Sequence, residues 1–160
     1  MTKENFFKLN IINWLYDHNI QIDDIKFGND FGYDIENNTV IIGLNRYPEI
    51  EHWFQKYIER RTQWENVPIQ VLQFFHELGH SQTIINFSDV ELVAYDIAKK
   101  NFREEANNKL TIEYMNKYMG MPDEQAANHW MTRYMNMHHE DFGEFIEYFV
   151  INWNDFMLGE

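Results

Sequence analysis

The chain has 160 residues, a length that fits one domain with a substantial core. Hydrophobic residues make up 44% of it and aromatic residues 17%, which excludes a disordered tail, and no apolar run reaches the length of a membrane span. Cysteine is absent, which excludes disulfides, thiolate metal ligands and a cysteine nucleophile. Together with an N-terminus that lacks the apolar region of a signal peptide, these features predict a cytoplasmic globular protein.

Acidic residues outnumber basic ones by 26 to 13, which gives a net charge of -13. A field of this sign repels phosphate groups, so we expect no direct binding to nucleic acid. The same field suits a basic protein partner. The imbalance is greatest at the C-terminal end, where six acidic residues and no Lys or Arg follow Arg133.

The first 44 residues predict a helix followed by a hairpin. Thr2 is a suitable N-cap for the helix, and its apolar stripe is expected to comprise Phe6, Leu9, Ile12 and Tyr16. Asn37 and Asn38 can turn the chain, and the apolar, β-branched stretch from Thr39 to Leu44 predicts the second strand of the hairpin. The stretch IQIDDIKF between the helix and the hairpin favours neither helix nor strand.

Helices are predicted for most of the remaining chain. Ser88 and Glu91 have the spacing of a capping box at the start of one of them. The predicted helices cover residues 48–61, a segment starting near Asn66 with Pro68 in its first turn, and residues 88–109, 111–119, 122–137 and 140–158. The whole pattern predicts a single α+β domain over residues 1–160, mostly helical with a small antiparallel sheet.

The stretch VLQFFHELGHSQT carries the pattern HExxH on a predicted helix. Residues four apart lie on one helical face, so His76 and His80 can reach one metal ion, and two neutral imidazoles suit Zn²⁺. Glu77 is displaced around the helix, where it can act as a general base toward water at the metal. Gly79 costs ~1 kcal/mol relative to alanine in a helix interior. We therefore expect another backbone to approach the helix closely at Gly79.

A catalytic zinc site needs a third protein ligand, and without cysteine this must be His, Asp or Glu. Three downstream acids are candidates: Glu91, Glu105 and Glu124. Glu91 is also the capping-box partner of Ser88, and Glu105 follows a basic stretch. Glu124 opens a new helix and has Asn128 one turn later, where its amide can orient a ligating histidine. We rank Glu124 first, Glu91 second and Glu105 third.

HELGH followed by a helix that carries Glu124, Ala127, Asn128 and Trp130 resembles the ImmA/IrrE-type zinc metallopeptidases. The order of helix, small sheet, motif helix and closing helix resembles that family as well. The resemblance implies a zincin-like fold, Zn²⁺ held by His76, His80 and Glu124, and Glu77 as the catalytic base. It also implies a phage or mobile-element origin and cleavage of a helix-turn-helix repressor, a basic DNA-binding regulator.

Two departures from that family concern the third ligand. The gap before Glu124 is longer, which implies an insertion over residues 86–119, and Ala126 stands where the family has an acid. HELGH with the later ELVA also resembles the peptidase domain of ArdC-type antirestriction proteins, in which Glu91 would match the ligand.

Two functions from different classes follow from the sequence. The first is a zinc metalloendopeptidase that hydrolyses a peptide bond in a specific protein partner. The second is an acidic, non-catalytic binding protein, such as a DNA mimic or an anti-defence inhibitor, with a structural zinc site. A peptidase also needs a donor for the developing oxyanion; the candidates, which the sequence does not rank, are His129, His138, His139 and tyrosines such as Tyr134.

Overall fold

The structure, a computed structural model, describes residues 1–158 and has an α+β fold. Helices account for most of these residues, and the strands form one small sheet near the N-terminal end. The elements in chain order are α1 (Lys3–Asp17), β1 (Asp24–Gly28), β2 (Gly32–Asp34), β3 (Thr39–Gly43), α2 (Pro48–Glu59), α3 (Ile69–Thr83), a 3₁₀ turn (Ile84–Asn86), α4 (Asp89–Glu105), α5 (Ile112–Met119), α6 (Pro122–Met137) and α7 (His139–Leu158).

The sheet has the order β1-β3-β2, with β2 antiparallel and β1 parallel to the central strand β3. The predicted hairpin is confirmed, because β2 and β3 flank a turn in which Asn38 takes a φ of 45°. The hydroxyl of Tyr33 donates to the side-chain oxygen of Asn38 at 2.7 Å. The prediction of an antiparallel sheet is wrong in one respect. The stretch IQIDDIKF, for which the sequence favoured neither helix nor strand, contributes β1, and β1 runs parallel to β3. β1 pairs with β3, the strand of the same direction, and leaves β2 on the far edge.

The first helix begins where Thr2 predicts, since its hydroxyl accepts the backbone N–H of Asn5. Its buried face was predicted wrongly. Phe7, Ile11 and Leu15 are buried, whereas three of the four residues of the expected stripe, Phe6, Leu9 and Tyr16, are exposed. These three buried residues are spaced four apart, and their row faces α7. The ring centre of Phe7 lies 5.7 Å from that of Phe149.

The motif helix α3 is central to the molecule. It packs against α2, the sheet and, most extensively, α6. Every residue from Phe74 to His80 is buried, so little of the helix surface at the level of the motif is exposed to solvent. Its polar residues therefore face other protein groups or internal space.

The segment after α3 folds over one side of this core. The capping box predicted for Ser88 and Glu91 is confirmed at the start of α4. None of the residues of α4 is buried, and the main contacts of the helix are with α5 and α6. Among the described residues, no helix combines the length and apolar character that crossing a membrane requires.

Candidate metal centre

Three buried side chains from α3 and α6 converge on one point. The Nε2 atoms of His76 and His80 lie 2.8 Å and 3.0 Å from the same oxygen, Oε1 of Glu124. Glu124 is 1% exposed, and the two histidines are also buried. These three residues form a group whose ligand atoms all lie within 4.8 Å of one another. The i, i+4 spacing brings the histidines together, and the packing of α6 on α3 adds the carboxylate.

The hydrogen bonds of His76 fix its ring orientation. The side-chain oxygen of Asn128 can only accept, so Nδ1–H of His76 donates to it, at 2.6 Å, and Nε2 faces Glu124. Burial alone would lower the pKa of His76, but the hydrogen bond to Glu124 and the charges of Glu77 and Glu124 outweigh burial and raise it to about 9. The cluster therefore favours a positive species, a proton or a metal ion, between the imidazole and the carboxylate.

The donor set fits zinc. Two imidazole nitrogens and one carboxylate oxygen are common ligands of catalytic Zn²⁺. Ligand atoms at ~2.0–2.1 Å from a tetrahedral ion stand about 3.3 Å apart, so the distances of 2.8 Å and 3.0 Å need to open only slightly. Asn128 provides the outer hydrogen bond that ligating histidines normally have.

Glu77 lies beside this group without belonging to it. Its side chain is 8% exposed. Burial raises the pKa of Glu77, and the positive charges of His76 and His80 oppose that rise. A carboxyl group with a raised pKa suits general acid–base work near neutral pH.

Two cavities meet at Glu77. One, of about 200 Å³, is walled by Phe54, His76, Tyr114 and Met119 among others. The other, of about 620 Å³, reaches His80, Glu124 and the edge strand β2. Glu77 and Tyr118 line both cavities. Two cavities therefore border the candidate centre, and Glu77 lines both of them.

The other two candidate ligands lie elsewhere. Glu91 is exposed, and its carboxylate accepts the backbone N–H of Ser88 and the hydroxyl of Tyr95. Glu105 is exposed and pairs with Lys117 at 3.2 Å. Neither belongs to the buried group with the histidines. A further group, His18, Asp141 and Glu144, lies partly exposed near the contact between α1 and α7.

The proposed oxyanion donors do not line the cleft. His129, His138 and His139 are exposed, and the latter two rings stack on Tyr134 and Trp64. The hydroxyl of Tyr134 is buried with no hydrogen-bond partner among the described residues, and it lines neither cavity.

Two residues that the sequence reasoning did not propose lie at the centre. Tyr118, on α5, faces the cleft, and burial together with the charges of Glu124 and Glu77 raises its pKa well above the ordinary value. Lys99, on α4, reaches Glu124 at 2.5 Å. A tyrosine among other aromatics and a lysine in a charged helix carry no distinguishing signal in a sequence.

Comparison of the chain with protein-family models, with curated proteins and with solved structures finds no match. The site must therefore be interpreted from its own chemistry.

Proposed function

We propose that the protein is a zinc-dependent metallopeptidase that hydrolyses a peptide bond within a protein partner. The observation that carries this proposal is the convergence of His76, His80 and Glu124 on one buried point, with Glu77 beside it in an open cleft. A purely structural zinc site is normally closed by four protein ligands and has no need of a further buried carboxylate facing a cavity.

In this mechanism His76, His80 and Glu124 would hold Zn²⁺, which when bound would supply Lewis acidity to a carbonyl and to water. Glu77 takes the proton of the attacking water and passes it to the departing amine. Tyr118 faces the same space. Its hydroxyl has no hydrogen-bond partner among the described residues. We infer that this hydroxyl donates to the carbonyl oxygen as negative charge develops there.

The cleft and the charge support a protein substrate. Glu77 lines two cavities, and together they offer room for more of a peptide than the bond that is cut. The charge of -13 favours a basic partner. The resemblance of HELGH and the Glu124 helix to ImmA/IrrE-type peptidases points to a helix-turn-helix repressor as that partner.

The test is cleavage of a peptide library, prepared by digesting a bacterial proteome, with products identified by mass spectrometry. Protein loaded with Zn²⁺ should produce new termini with a consistent sequence around them. Glu77→Gln should keep the metal and the fold but slow cleavage by ~10²- to 10⁴-fold. Glu104→Gln, an exposed glutamate of α4, is the matched control and should cleave normally.

A second candidate, favoured by the charge of -13, is an acidic binding protein that occupies a basic groove of a nuclease or repressor. In that case Glu77→Gln would leave partner binding unchanged, and no new termini would appear with the unmodified protein. The comparison of unmodified protein with Glu77→Gln therefore separates the two candidates. A peptidase produces new termini that the variant largely loses, whereas a binding protein produces none with either.

A further inference from the structure

Lys99 joins α4 to the candidate metal centre. Its ammonium lies 2.6 Å from Oδ2 of Asp123 and 2.5 Å from Oε2 of Glu124, two neighbouring carboxylates in the first turn of α6. The side chain of Lys99 is 15% exposed, although the helix that carries it has no buried residue. Its ammonium also lies 5.0 Å from the ring centre of Tyr118.

The two oxygens of Glu124 have different partners. Oε1 faces the Nε2 atoms of both histidines, whereas Oε2 is bound to Lys99. An ammonium on Oε2 competes, by occupancy and by charge, with any bond from that oxygen to a cation. The arrangement presents a single oxygen of Glu124 to the point where the imidazoles meet.

The ammonium is well satisfied where it is. Burying a charged group is costly unless it is paired and hydrogen-bonded. Here two carboxylates, each nine-tenths or more buried, accept from Lys99. Lys99 is therefore fixed by Asp123 as well as by Glu124, and it can hold Glu124 in one orientation.

We propose that Lys99 is a positioning residue that keeps Glu124 a one-oxygen metal ligand and so leaves a coordination position open beside Glu77. The inference rests on the proposed metal site. A catalytic zinc keeps three protein ligands and one position for water or substrate. A carboxylate that bound through both oxygens would fill that position.

The experiment uses Co²⁺ as a spectroscopic substitute for Zn²⁺ in the full chain. The visible absorption of Co²⁺ is intense with four ligands and weak with more. The variants are Lys99→Met, which keeps the length and apolar stem without the charge, and Lys99→Arg, which keeps the charge. Lys100→Met is the matched control, because Lys100 is exposed and its partner among the described residues is the exposed Asp96. Circular dichroism confirms that each protein is folded.

The unmodified protein, Lys99→Arg and Lys100→Met should bind one Co²⁺ with an intense, four-ligand spectrum. Lys99→Met should bind Co²⁺ with a much weaker spectrum, because Glu124 is free to bind through both oxygens. If Lys99→Met does not fold, Lys99→Gln replaces it, and the same loss of intensity is expected.

An unchanged spectrum in Lys99→Met would overturn the role of Lys99 and leave the metal site standing. Unmodified protein that takes up no Co²⁺ would overturn both the metal site and the role of Lys99. Intense Co²⁺ absorption in the unmodified protein, lost in Lys99→Met, would support the inference even if no peptide in the library were cleaved, so the peptidase proposal is tested separately.

Discussion

Gly79 and Ala127 bring the backbones of α3 and α6 into direct contact. A Cβ atom built on Gly79 would lie 2.8 Å from Cα of Ala127, which is closer than real contacts allow. This confirms the close approach that a glycine inside the motif helix predicted. Because Glu124 and Asn128 lie on the same face of α6 as Ala127, the contact also sets their distance from His76.

Gly79→Ala should destabilise the protein, although alanine is the better helix former by ~1 kcal/mol. The new methyl group meets backbone atoms of α6, which can yield only if the two helices separate, so a net cost of ~1–3 kcal/mol is expected. Zn²⁺ affinity should also fall, because Glu124 moves away with α6. Urea denaturation and a chelator competition measure the two effects.

Gly143→Ala is the matched control for that substitution. Gly143 is also inside a helix, but the nearest atom to an added Cβ is a ring carbon of Trp64 at 3.3 Å, which belongs to a side chain. It should cost less stability than Gly79→Ala and leave Zn²⁺ affinity unchanged. Equal losses from the two variants would contradict the special role of the contact at Ala127.

Removing the carboxylate of Glu124 should abolish tight Zn²⁺ binding, whereas the same change at Glu91 or Glu105 should not. The reason is that only Glu124 lies in the buried group with the histidines. Glu124→Gln, Glu91→Gln and Glu105→Gln can be compared by elemental analysis after dialysis. Retention of zinc by Glu124→Gln together with loss from Glu91→Gln would move the site to α4 and favour the ArdC-like interpretation.

Asn128→Ala should weaken Zn²⁺ binding by about 10- to 100-fold without removing a ligand. The Asn128 oxygen accepts from Nδ1–H of His76 at 2.6 Å, and without it the ring loses its fixed orientation. Competition with a chromophoric chelator gives the affinity. Asn101→Ala, at an exposed position of α4, is the control, and a similar weakening there would show that the effect is not specific to the imidazole.

The local parts of the site are readable from the sequence, and the non-local parts are not. The spacing of His76 and His80 determines their shared face, and Asn128 follows Glu124 by one turn in the same helix. Lys99 is separated from Glu124 by 25 residues, and its partner depends on how α4 folds back. A lysine in a helix with Lys100 and Arg103 has the pattern of a solvated face, so no periodicity distinguishes it.

The same limit explains the errors in the fold. Residues Phe6 to Tyr16 include eight large apolar side chains, so more than one stripe fits the helical period, and only the packing of Phe7 against α7 selects the buried one. The parallel pairing of β1 with β3 joins residues that are far apart in the chain. The stretch IQIDDIKF has no regular alternation of apolar and polar residues from which this pairing could be predicted.

Glu51→Gln should destabilise the protein at neutral pH by about 1–3 kcal/mol. The hydrogen bonds from Arg46, followed by the backbone N–H of Tyr47, lower the pKa of Glu51 below its ordinary 4.5 despite burial. Because the pKa of Glu51 is lower in the folded than in the unfolded protein, its ionised carboxylate stabilises the fold at pH values above the ordinary pKa. This contribution is lost as the pH falls through the folded pKa.

The difference in unfolding free energy between unmodified protein and Glu51→Gln should therefore be largest near pH 7 and shrink toward about pH 3. Urea denaturation at both pH values measures it. Glu49→Gln changes an exposed acid in the same helical turn and should show little difference at either pH. A difference for Glu51→Gln that did not depend on pH would assign its effect to packing alone.

The charge of -13 should speed the capture of a basic substrate. Steering raises association rates by ~10- to 1000-fold and fades with salt, because the Debye length falls from ~10 Å at 0.1 M to ~3 Å at 1 M. Cleavage at low substrate concentration should therefore slow steeply as salt is added, while turnover at saturation changes little.

Replacing Glu140, Asp141, Glu144 and Glu147 of α7 together by Gln should flatten this dependence without loss of Zn²⁺. Replacing Glu36 and Asp96, which line the larger cavity, should flatten the dependence further. Cleavage rates that responded neither to salt nor to these replacements would leave the acidic residues only a role in solubility.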